Sequence, residues 1–343
     1  MKRVLLLCLA LVLSISLCSC VKSETRSKTF FEYFDTVSAV YSYAGDSEER
    51  FREMYTGVEE LLSKYHMLFD IYDSYEGINN LKTINDNAGV APVSVSPELI
   101  EFLLYAREMY EVTDGEMNIA MGSVLRLWHE CREKADKDPE NAVIPSKEEL
   151  LIASEHTSIS SIVIDEEAGT VYISDPYCSI DVGAVGKGFA TVKVSEWLES
   201  MGAYGYVLNF GGSIRVIGTK PGGGGFITGI TNPDKESVEP FATTVTLKNI
   251  YCVTSGNYER YYTVGGVDYH HVIDRDTLMP ADYFSSVTVL SDDGALADTL
   301  STALFCMPLE DGMKLASKTG VEVIFIDTEY NVTMTEGVKK LTK

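Results

Sequence analysis

The amino-acid sequence predicts an α+β fold, a single domain with mixed, largely antiparallel sheets and flanking helices. Apolar residues recur at helical spacing over residues 51–62, and residues 96–98 carry the Ser-Pro-Glu pattern of a helix start. Short β-prone runs at 162–164 and 171–173 surround a polar turn and predict a hairpin. Strands that follow one another through turns, with helices beside them, are typical of α+β proteins rather than of alternating β/α folds.

The first half of the chain is predicted to contain one strand followed by several helices. The alternating, β-prone residues 34–43 predict a strand. Apolar spacing, together with capping and turn residues, predicts helices at 47–64, 78–85, 97–112 and 120–132. Residues 135–146 are charged and contain two prolines, so we expect a surface loop or insertion there.

The second half contains more strands, separated by glycine-rich turns. A helix is predicted from the glycine segment at 183–188 to about Met201, and another at 296–304. Runs of β-branched and aromatic residues predict strands at 162–164, 171–173, 180–182, 206–209, 214–217, 226–231, 243–248, 251–254 and 321–326. No internal repeat or flexible linker interrupts the sequence, which favours one domain.

The N-terminus reads as an export signal rather than as part of the fold. Basic residues at positions 2 and 3 precede an apolar run at 4–17 that is short for a membrane span. The Leu-Cys-Ser-Cys sequence ending at Cys20 resembles a bacterial lipobox; the alternative is an ordinary secretory signal. We therefore predict a signal peptide at 1–19, a tether at 20–29 and the folded domain at 30–343. Two acyl chains on Cys20 suffice for stable anchoring in a lipid bilayer, so we expect the protein at the cell membrane, outside the cytoplasm.

The charge balance restricts the possible partners. The chain has 28 basic and 51 acidic residues, a formal net charge of −23. Such a surface repels nucleic acid, which is excluded as a partner. An anionic ligand would need a local positive element, such as a bound metal cation.

The cysteines indicate neither a zinc site nor a disulfide-rich scaffold. Cys8 and Cys18 belong to the predicted signal, and the remaining four are widely spaced, without a Cys-x-x-Cys pair. Small core residues are the favoured interpretation, with a single disulfide as the alternative. These four are Cys131, Cys178, Cys252 and Cys306.

A glycine segment at 181–188 lies between a predicted strand and a predicted helix. Backbone N–H groups at a helix N-terminus bind phosphate. The segment is not a Walker A loop, because Gly188 follows Lys187 where Ser or Thr is needed, and it lacks the third glycine of a Rossmann fingerprint. By itself it indicates a phosphate loop and a plain strand-to-helix turn about equally.

Two other segments carry side chains suited to chemistry. Asp298 and Thr302 are four residues apart and share one face of a helix, where a carboxylate and a hydroxyl suit Mg²⁺. His270 and His271, two of only five histidines, precede Asp274, and one of them can serve as a general base. Taken singly, helix capping and a structural histidine pair are the more frequent explanations.

Together these segments resemble the ApbE family. The matching stretches are 181–190, 209–212, 254–258, 270–274 and 297–304, preceded by looser matches at 34–36, 79–85 and 113–118 with 127–128. They occur in the family's order and approximate spacing, and cover roughly residues 30–330. A single motif of this kind is weak, whereas eight in order are hard to obtain by chance.

The resemblance implies a reaction and its cofactors. Family members are exported FAD:protein FMN transferases with one α+β domain and FAD in a central cleft; some also hydrolyse FAD. We therefore expect a Mg²⁺-dependent enzyme that cleaves the FAD pyrophosphate and attaches FMN to a Thr or Ser of an acceptor flavoprotein. The alternatives are a metal-dependent FAD diphosphatase and a non-catalytic flavin-binding lipoprotein.

The resemblance also implies roles for individual residues. His271, directly before Val-Ile-Asp, matches the catalytic histidine, and His270 is the second candidate. The metal would be held by Asp298, Thr302 and the main-chain carbonyl of Ala184, with Ser301 nearby. The residues expected to contact FAD are Phe34, Tyr72, Glu116, Met117, Asn118, Asp181, Lys187, Gly211, Gly212, Ser255, Gly256, His271, Val272 and Ile273.

One loop departs from the family pattern. Where the family usually continues Asp-Pro-x-Thr-Gly, residues 274–278 read Asp-Arg-Asp-Thr-Leu. Pro and Gly pre-set a turn, so we expect a reshaped loop that affects acceptor selectivity more than FAD binding.

Overall fold

The computed structural model describes residues 25–342. Its strands are β1 (Arg26–Phe30), β2 (Ser38–Ser42), β3 (Val93–Ser94), β4 (Ile162–Asp165), β5 (Thr170–Ile173), β6 (Tyr206–Phe210), β7 (Ser213–Ile217), β8 (Phe226–Thr231), β9 (Phe241–Leu247), β10 (Ile250–Gly256), β11 (Tyr261–Val264), β12 (Val267–His270), β13 (Phe284–Ser291), β14 (Glu322–Asp327) and β15 (Val332–Met334). Its helices are α1 (Glu48–Phe69), α2 (Leu81–Asp86), α3 (Pro97–Val112), α4 (Gly122–Lys137), α5 (Lys147–Ser154), α6 (Gly186–Ser200), α7 (Gly294–Ala303), α8 (Leu309–Thr319) and α9 (Glu336–Lys339).

An eight-stranded sheet in the order β1-β2-β6-β7-β10-β13-β14-β15 forms the centre of the fold. Every neighbouring pair in it is antiparallel. Smaller antiparallel units, β3-β5-β4, β8-β9 and β11-β12, lie around it. The predicted α+β class, with largely antiparallel sheets, is confirmed.

Both faces of the central sheet are covered. On one face, α1 and α6 pack on β2 and β6 through residues such as Val58, Val194 and Leu208, while α7 packs on β13. On the other face, the β8-β9 hairpin and α9 cover Val216 and Ile324. Burying both faces removes apolar surface from water along the full width of the sheet, which stabilises it.

Short polar side chains begin five helices, including α5, which was not predicted from the sequence. Ser47, Asn80, Ser96, Ser146 and Asp293 each accept a hydrogen bond from an N–H of the first helical turn. Each satisfies a backbone donor that the helix itself leaves unpaired. The helix starts are therefore encoded locally.

Several sequence expectations need correction. Residues 26–29, expected in the tether, belong to β1 and pair with β2, so the folded part begins earlier than residue 30. Residues 180–182 form no strand, because the backbone N–H and C=O of Ile180 bond to the side chain of Asn85, at 2.7 and 2.9 Å. The charged stretch 135–146 is irregular only from Asp138 onward, with a short 3-10 turn at Pro139–Asn141.

The predicted signal peptide and Cys20 lie outside the described residues. No helix within residues 25–342 is long and apolar enough to cross a membrane. Cys178, Cys252 and Cys306 are buried, Cys131 is half-buried, and all four are free thiols. The cysteines are thus small packing residues, as the favoured interpretation had it.

Helices α6 and α7 approach each other very closely at Gly188. A Cβ atom at Gly188 would stand 2.3 Å from the Cβ of Asp298 and 2.7 Å from the backbone oxygen of Gly294. Gly294 in turn has its Cα against the ring of Tyr251, where a Cβ would lie 2.3 Å from Cδ1. Glycines at these two positions let the helices pack backbone to backbone.

Gly188→Ala is therefore expected to lower the free energy of unfolding by about 3 kcal/mol, the upper end of the overpacking range, because the backbone at Gly294 cannot move aside. Gly224→Ala is the matched control, since nothing lies within 4 Å of a Cβ there, and should change stability by less than about 0.5 kcal/mol. Urea denaturation of both variants measures this. Equal stability of the two would refute the close approach.

Candidate active site

Three hydroxyl groups and a carboxylate meet where α7 faces β10. The Oγ of Ser255 lies 2.8 Å from the Oγ of Ser301 and 3.2 Å from the Oγ1 of Thr302. Ser301 also donates to the backbone oxygen of Asp298, at 2.9 Å. Helical spacing places Asp298 and Thr302 on one face, as predicted from the sequence.

Asp298 is buried and only partly satisfied. Its Oδ2 accepts the Gly188 N–H at 2.6 Å, whereas within residues 25–342 its Oδ1 accepts no hydrogen bond and the carboxylate forms no salt bridge. Burial raises the pKa of Asp298, while the Lys187 ammonium and the Gly188 N–H act in the opposite direction. A buried carboxylate with a free oxygen is suited to binding a cation.

A backbone oxygen just before α6 is also unpaired among the described residues. The Gly188 N–H lies in the first turn of α6, where the helix itself supplies no acceptor, and it bonds to Asp298. The Ala184 carbonyl, which precedes the helix, accepts no hydrogen bond in the described part of the chain. The carbonyl of Ala184, the Asp298 carboxylate and the Thr302 hydroxyl are hard oxygen donors of the kind that Mg²⁺ prefers. The 25–342 range holds no group of three His, Cys, Asp or Glu side chains arranged for a metal.

The glycine segment forms a turn that leads into α6. The Oδ1 of Asp181 accepts the Gly183 N–H at 2.9 Å, and Lys187 donates to the Gly183 oxygen at 3.4 Å. Of the first N–H groups of α6, that of Gly186 bonds to Val182 and that of Gly188 to Asp298. Two N–H groups at this helix start are therefore already bonded within the protein, one of them to the Asp298 carboxylate, and are not free to bind phosphate.

The two adjacent histidines have different environments. His270 is buried against the ring of Phe305; its Nε2 donates to the Ala281 oxygen at 2.8 Å, and its Nδ1 accepts the Val272 N–H at 3.3 Å. Both ring nitrogens are occupied, so His270 is a structural residue, and its place as second catalytic candidate is corrected. His271 follows the end of β12. Its backbone N–H and its ring Nδ1 both bond to the Arg260 oxygen, at 3.1 and 3.2 Å. Its Nε2 has no partner among residues 25–342.

The environment of His271 favours the neutral ring. Although the side chain reaches solvent, surrounding protein atoms desolvate the imidazolium and lower the pKa of His271 well below 6.5. The charges of Lys187 and Arg260 lower this pKa further. With Nδ1–H held by a carbonyl, the unprotonated Nε2 is the nitrogen available to accept a proton.

Arg260, which sequence reasoning missed, connects His271 to the N-terminal segment. Its Nη2 donates to the backbone oxygens of Phe34 and Asp35 at 3.3 and 2.8 Å. Phe34 and Asp35 both have left-handed backbones, with φ of 57° and 50°, a conformation costly for residues other than glycine. The guanidinium stabilises this strained bend beside His271. No pattern in the sequence singled out Arg260.

Tyr72 forms an aromatic surface with His129, another residue that the sequence did not indicate. Their rings stack at 4.9 Å with an interplanar angle of 30°, and Arg132 contacts the Nδ1 of His129 at 2.8 Å. The pKa of Tyr72 rises to about 12, first through burial and then through the nearby Asp181 charge. These side chains therefore border the glycine segment.

The glycine turn between β6 and β7 packs on the N-terminal bend. Gly211 has φ of 58°, and a Cβ there would lie 2.3 Å from the Oγ1 of Thr36. Gly212 accepts the Thr254 N–H at 3.3 Å, and a Cβ on Gly256 would lie 2.7 Å from the ring of Tyr258. The turn thus joins the segments at 34–36 and 254–258.

Several residues expected to contact FAD have buried or bonded side chains. The side chains of Met117 and Val272 are buried in apolar cores, and Ile273 packs in another. The amide of Asn118 donates to the Thr157 oxygen and accepts the Ala120 N–H, each at 2.9 Å. These side chains hold the backbone of the two segments in place, so contact of Met117, Asn118 and Val272 with FAD, which stays a prediction, would use the backbone.

The loop at 274–278, whose sequence departs from the family pattern, forms a tight turn. The Oδ1 of Asp274 accepts the N–H groups of Asp276 and Thr277, each at 2.8 Å. Leu278, where the family usually has Gly, adopts φ of 60°, and its buried side chain packs with Trp128. The loop thus retains a glycine-like conformation, and burial of the leucine offsets the backbone strain.

Comparisons with known proteins identify the family. The family model described as "ApbE family" matches residues 35–325. The FAD:protein FMN transferase of Haemophilus influenzae is 26% identical over an alignment covering 100% of this chain and 99% of the relative. That of Klebsiella pneumoniae is 26% identical, covering 82% of this chain and 86% of the relative.

Solved structures share the fold. The crystal structure of the ApbE protein from Thermotoga maritima superposes with a TM-score of 0.81 at 26% identity, covering 93% of this chain and 100% of that one. The flavin transferase ApbE from Vibrio cholerae gives a TM-score of 0.76 at 24% identity, covering 93% and 99%; at this identity it bears on the fold alone. With a family model matched over most of its length, the chain belongs to the ApbE family.

Proposed function

We propose that this protein is a Mg²⁺-dependent FAD:protein FMN transferase. It cleaves the FAD pyrophosphate, attaches FMN through a phosphoester to a Thr or Ser of an exported or membrane flavoprotein, and releases AMP. The names of its relatives support the transferase activity. The observation that carries the proposal is the pairing of a histidine with a free Nε2 and a carboxylate with a free oxygen, both in the field of Lys187.

Positive side chains collect at this site despite the net charge of −23. Lys187 acts electrostatically on His271, Asp298 and Asp181, while Arg132 also acts on Asp181. Such a local concentration of cations attracts an anionic pyrophosphate to an otherwise acidic surface. The stacked Tyr72 and His129 rings offer an apolar face for a planar ring system.

The residues that would hold Mg²⁺ are Asp298, Thr302 and the carbonyl of Ala184, with Ser301 and Ser255 bonded around them. Bound there, Mg²⁺ would neutralise the negative charge that develops on the leaving phosphate. The Gly188 N–H fixes the Asp298 carboxylate, and the Ser255 hydroxyl orients Ser301 and Thr302. These contacts pre-form the oxygen ligands, which reduces the cost of ordering them on binding.

The proton transfer follows from the tautomer of His271. The Arg260 oxygen accepts Nδ1–H, so Nε2 can remove the proton of the acceptor hydroxyl. The oxygen of the acceptor hydroxyl then forms a bond to the FMN-side phosphorus. The bond from this phosphorus to the bridging oxygen breaks, and AMP leaves with the electron pair. If water takes the acceptor's place, the products are FMN and AMP.

Lipid attachment at Cys20 would place this chemistry at the membrane surface, outside the cytoplasm. The lipobox-like sequence supports this part of the proposal. Membrane-bound acceptor flavoproteins would be met there.

Incubated with FAD, Mg²⁺ and a co-expressed acceptor flavoprotein, the protein should add one FMN mass to the acceptor and release AMP. His271→Ala should slow this at least about 100-fold, as expected for loss of a general base. His156→Ala is the control, because the His156 ring contacts Asp175 and Tyr177, neither of which is a proposed site residue. Intact-mass spectrometry, with and without chelator, measures the adduct.

The alternatives give different products in the same assay. AMP and free FMN without an adduct would show an FAD diphosphatase. Bound but uncleaved FAD would show a flavin-binding lipoprotein without catalysis. An unchanged adduct yield in His271→Ala would remove the proposed base.

Lys187→Gln should raise the pKa of His271, because a positive charge that opposes protonation is lost. The pKa should stay below 6.5, since desolvation is the larger cause. Lys193→Gln, on the same helix but paired with Glu101 at 2.6 Å, is the control and should leave this pKa unchanged. NMR titration of the His271 ring measures it; the same pKa in both variants would contradict the proposed field of Lys187.

A further inference from the structure

Arg275 bridges the loop at residues 113–118 and the turn that follows His271. Its Nη1 donates to the backbone oxygen of Asp114 at 3.0 Å, and its Nε lies 3.4 Å from the Oε1 of Glu116. The loop and the turn are 161 positions apart in the sequence at the Asp114 contact. Arg275 stands where the ApbE pattern usually has proline, so the bridge is a feature of this chain.

The loop conformation accommodates the guanidinium closely. Gly115 has φ of 84°, and a Cβ there would lie 2.3 Å from the Nη1 of Arg275. The Nε of Arg275 is buried and makes no hydrogen bond in the described structure, so its attraction to Glu116 is that of an ion pair. The side chain of Glu116 is 19% exposed, which limits screening of this pair by water.

The other charges around Glu116 are negative. Asp274 and Asp276 on the turn raise the pKa of Glu116, as burial does, and Arg275 lowers it. Tyr283 and Cys306, which also face Glu116, have raised pKa values and are neutral near pH 7. Without Arg275, the carboxylate of Glu116 would face two further carboxylates with no cation between them, which would push the loop and the turn apart.

We propose that Arg275 is a positioning residue, whose guanidinium holds the 113–118 loop against the turn after His271 and thereby fixes one wall of the nucleotide pocket relative to the base. The inference rests on the proposed function, because that function makes the loop part of an FAD site. Met117 and Asn118 anchor the far side of the loop in the core and on Thr157. Arg275 is the corresponding anchor on the catalytic side.

The first test measures FAD affinity in the presence of Mg²⁺, without acceptor, by quenching of flavin fluorescence. Arg275→Ala should weaken binding about tenfold at pH 8, since like charges then repel across the pocket wall. The defect should shrink as the pH falls, because loss of Arg275 raises the pKa of Glu116 further and protonation removes the repelling charge. Arg275→Lys keeps the positive charge but loses the planar, forked geometry of the guanidinium. Its FAD affinity should lie between those of wild type and Arg275→Ala.

The double variant Arg275→Ala with Glu116→Gln separates positioning from a general loss of fold. Glu116→Gln alone is the reference, because Glu116 is itself expected to contact FAD. Adding Arg275→Ala to Glu116→Gln should change FAD affinity by less than about threefold and without dependence on pH, as expected for coupled residues. A defect of Arg275→Ala that is independent of pH, or that is as large on the Glu116→Gln background as on wild type, would overturn the proposal.

The second test needs no ligand. Hydrogen exchange should increase in Arg275→Ala in peptides covering both 113–118 and 271–278, and should return toward wild type in the double variant; unchanged exchange would overturn the bridge. If wild type failed to bind FAD, the proposed function and the pocket role of Arg275 would both fall, while exchange would still decide whether Arg275 holds the loop. If FAD bound but no FMN were transferred, the proposed function alone would fail.

Discussion

The hydrogen bond from the Gly188 N–H to Asp298 is the contact on which the site depends. It joins the first turn of α6 to α7 and fixes the buried carboxylate. It also satisfies an N–H of the first helical turn that the helix itself leaves unpaired, beside an Ala184 carbonyl that accepts no hydrogen bond in the described residues. The bond requires glycine at 188, because a Cβ would collide with α7. The packing of the two helices and the position of the proposed cation ligand Asp298 therefore depend on one backbone contact.

The electrostatic environments of Asp298 and His271 favour different ligands on the two sides of the site. Asp298, buried and short of partners, favours a cation, whereas His271 is kept neutral by desolvation and by Lys187. A neutral histidine can accept a proton, and the positive charge of Lys187 acts on both groups. Arg260 holds the bend at Phe34 and Asp35, and Arg275 holds the loop at 113–118, so an arginine fixes the segment on either side of His271.

The sequence predicted features whose cause is local. The helix at 97–112 was predicted with its bounds, because Ser96 and Pro97 determine its start. The Asp298–Thr302 pair followed from helical spacing, and the α+β class from the hairpins. In contrast, β13 was missed, because its buried positions include Ser286 and Thr288, which resemble a surface pattern. The choice between His270 and His271, and the roles of Arg260 and Arg275, depend on partners far away in the chain, which no local pattern reveals.

The most direct test of the account is the linkage between Mg²⁺ and FAD binding. If the ligands around Asp298 hold the cation against the pyrophosphate, Mg²⁺ must tighten FAD binding, and FAD must tighten Mg²⁺ binding by the same factor. Calorimetric titration of FAD into wild type should show an affinity at least about tenfold higher with Mg²⁺ than with chelator, a coupling of about 1.4 kcal/mol. In Asp298→Asn this difference should vanish. An equal effect of Mg²⁺ on both proteins would contradict the account.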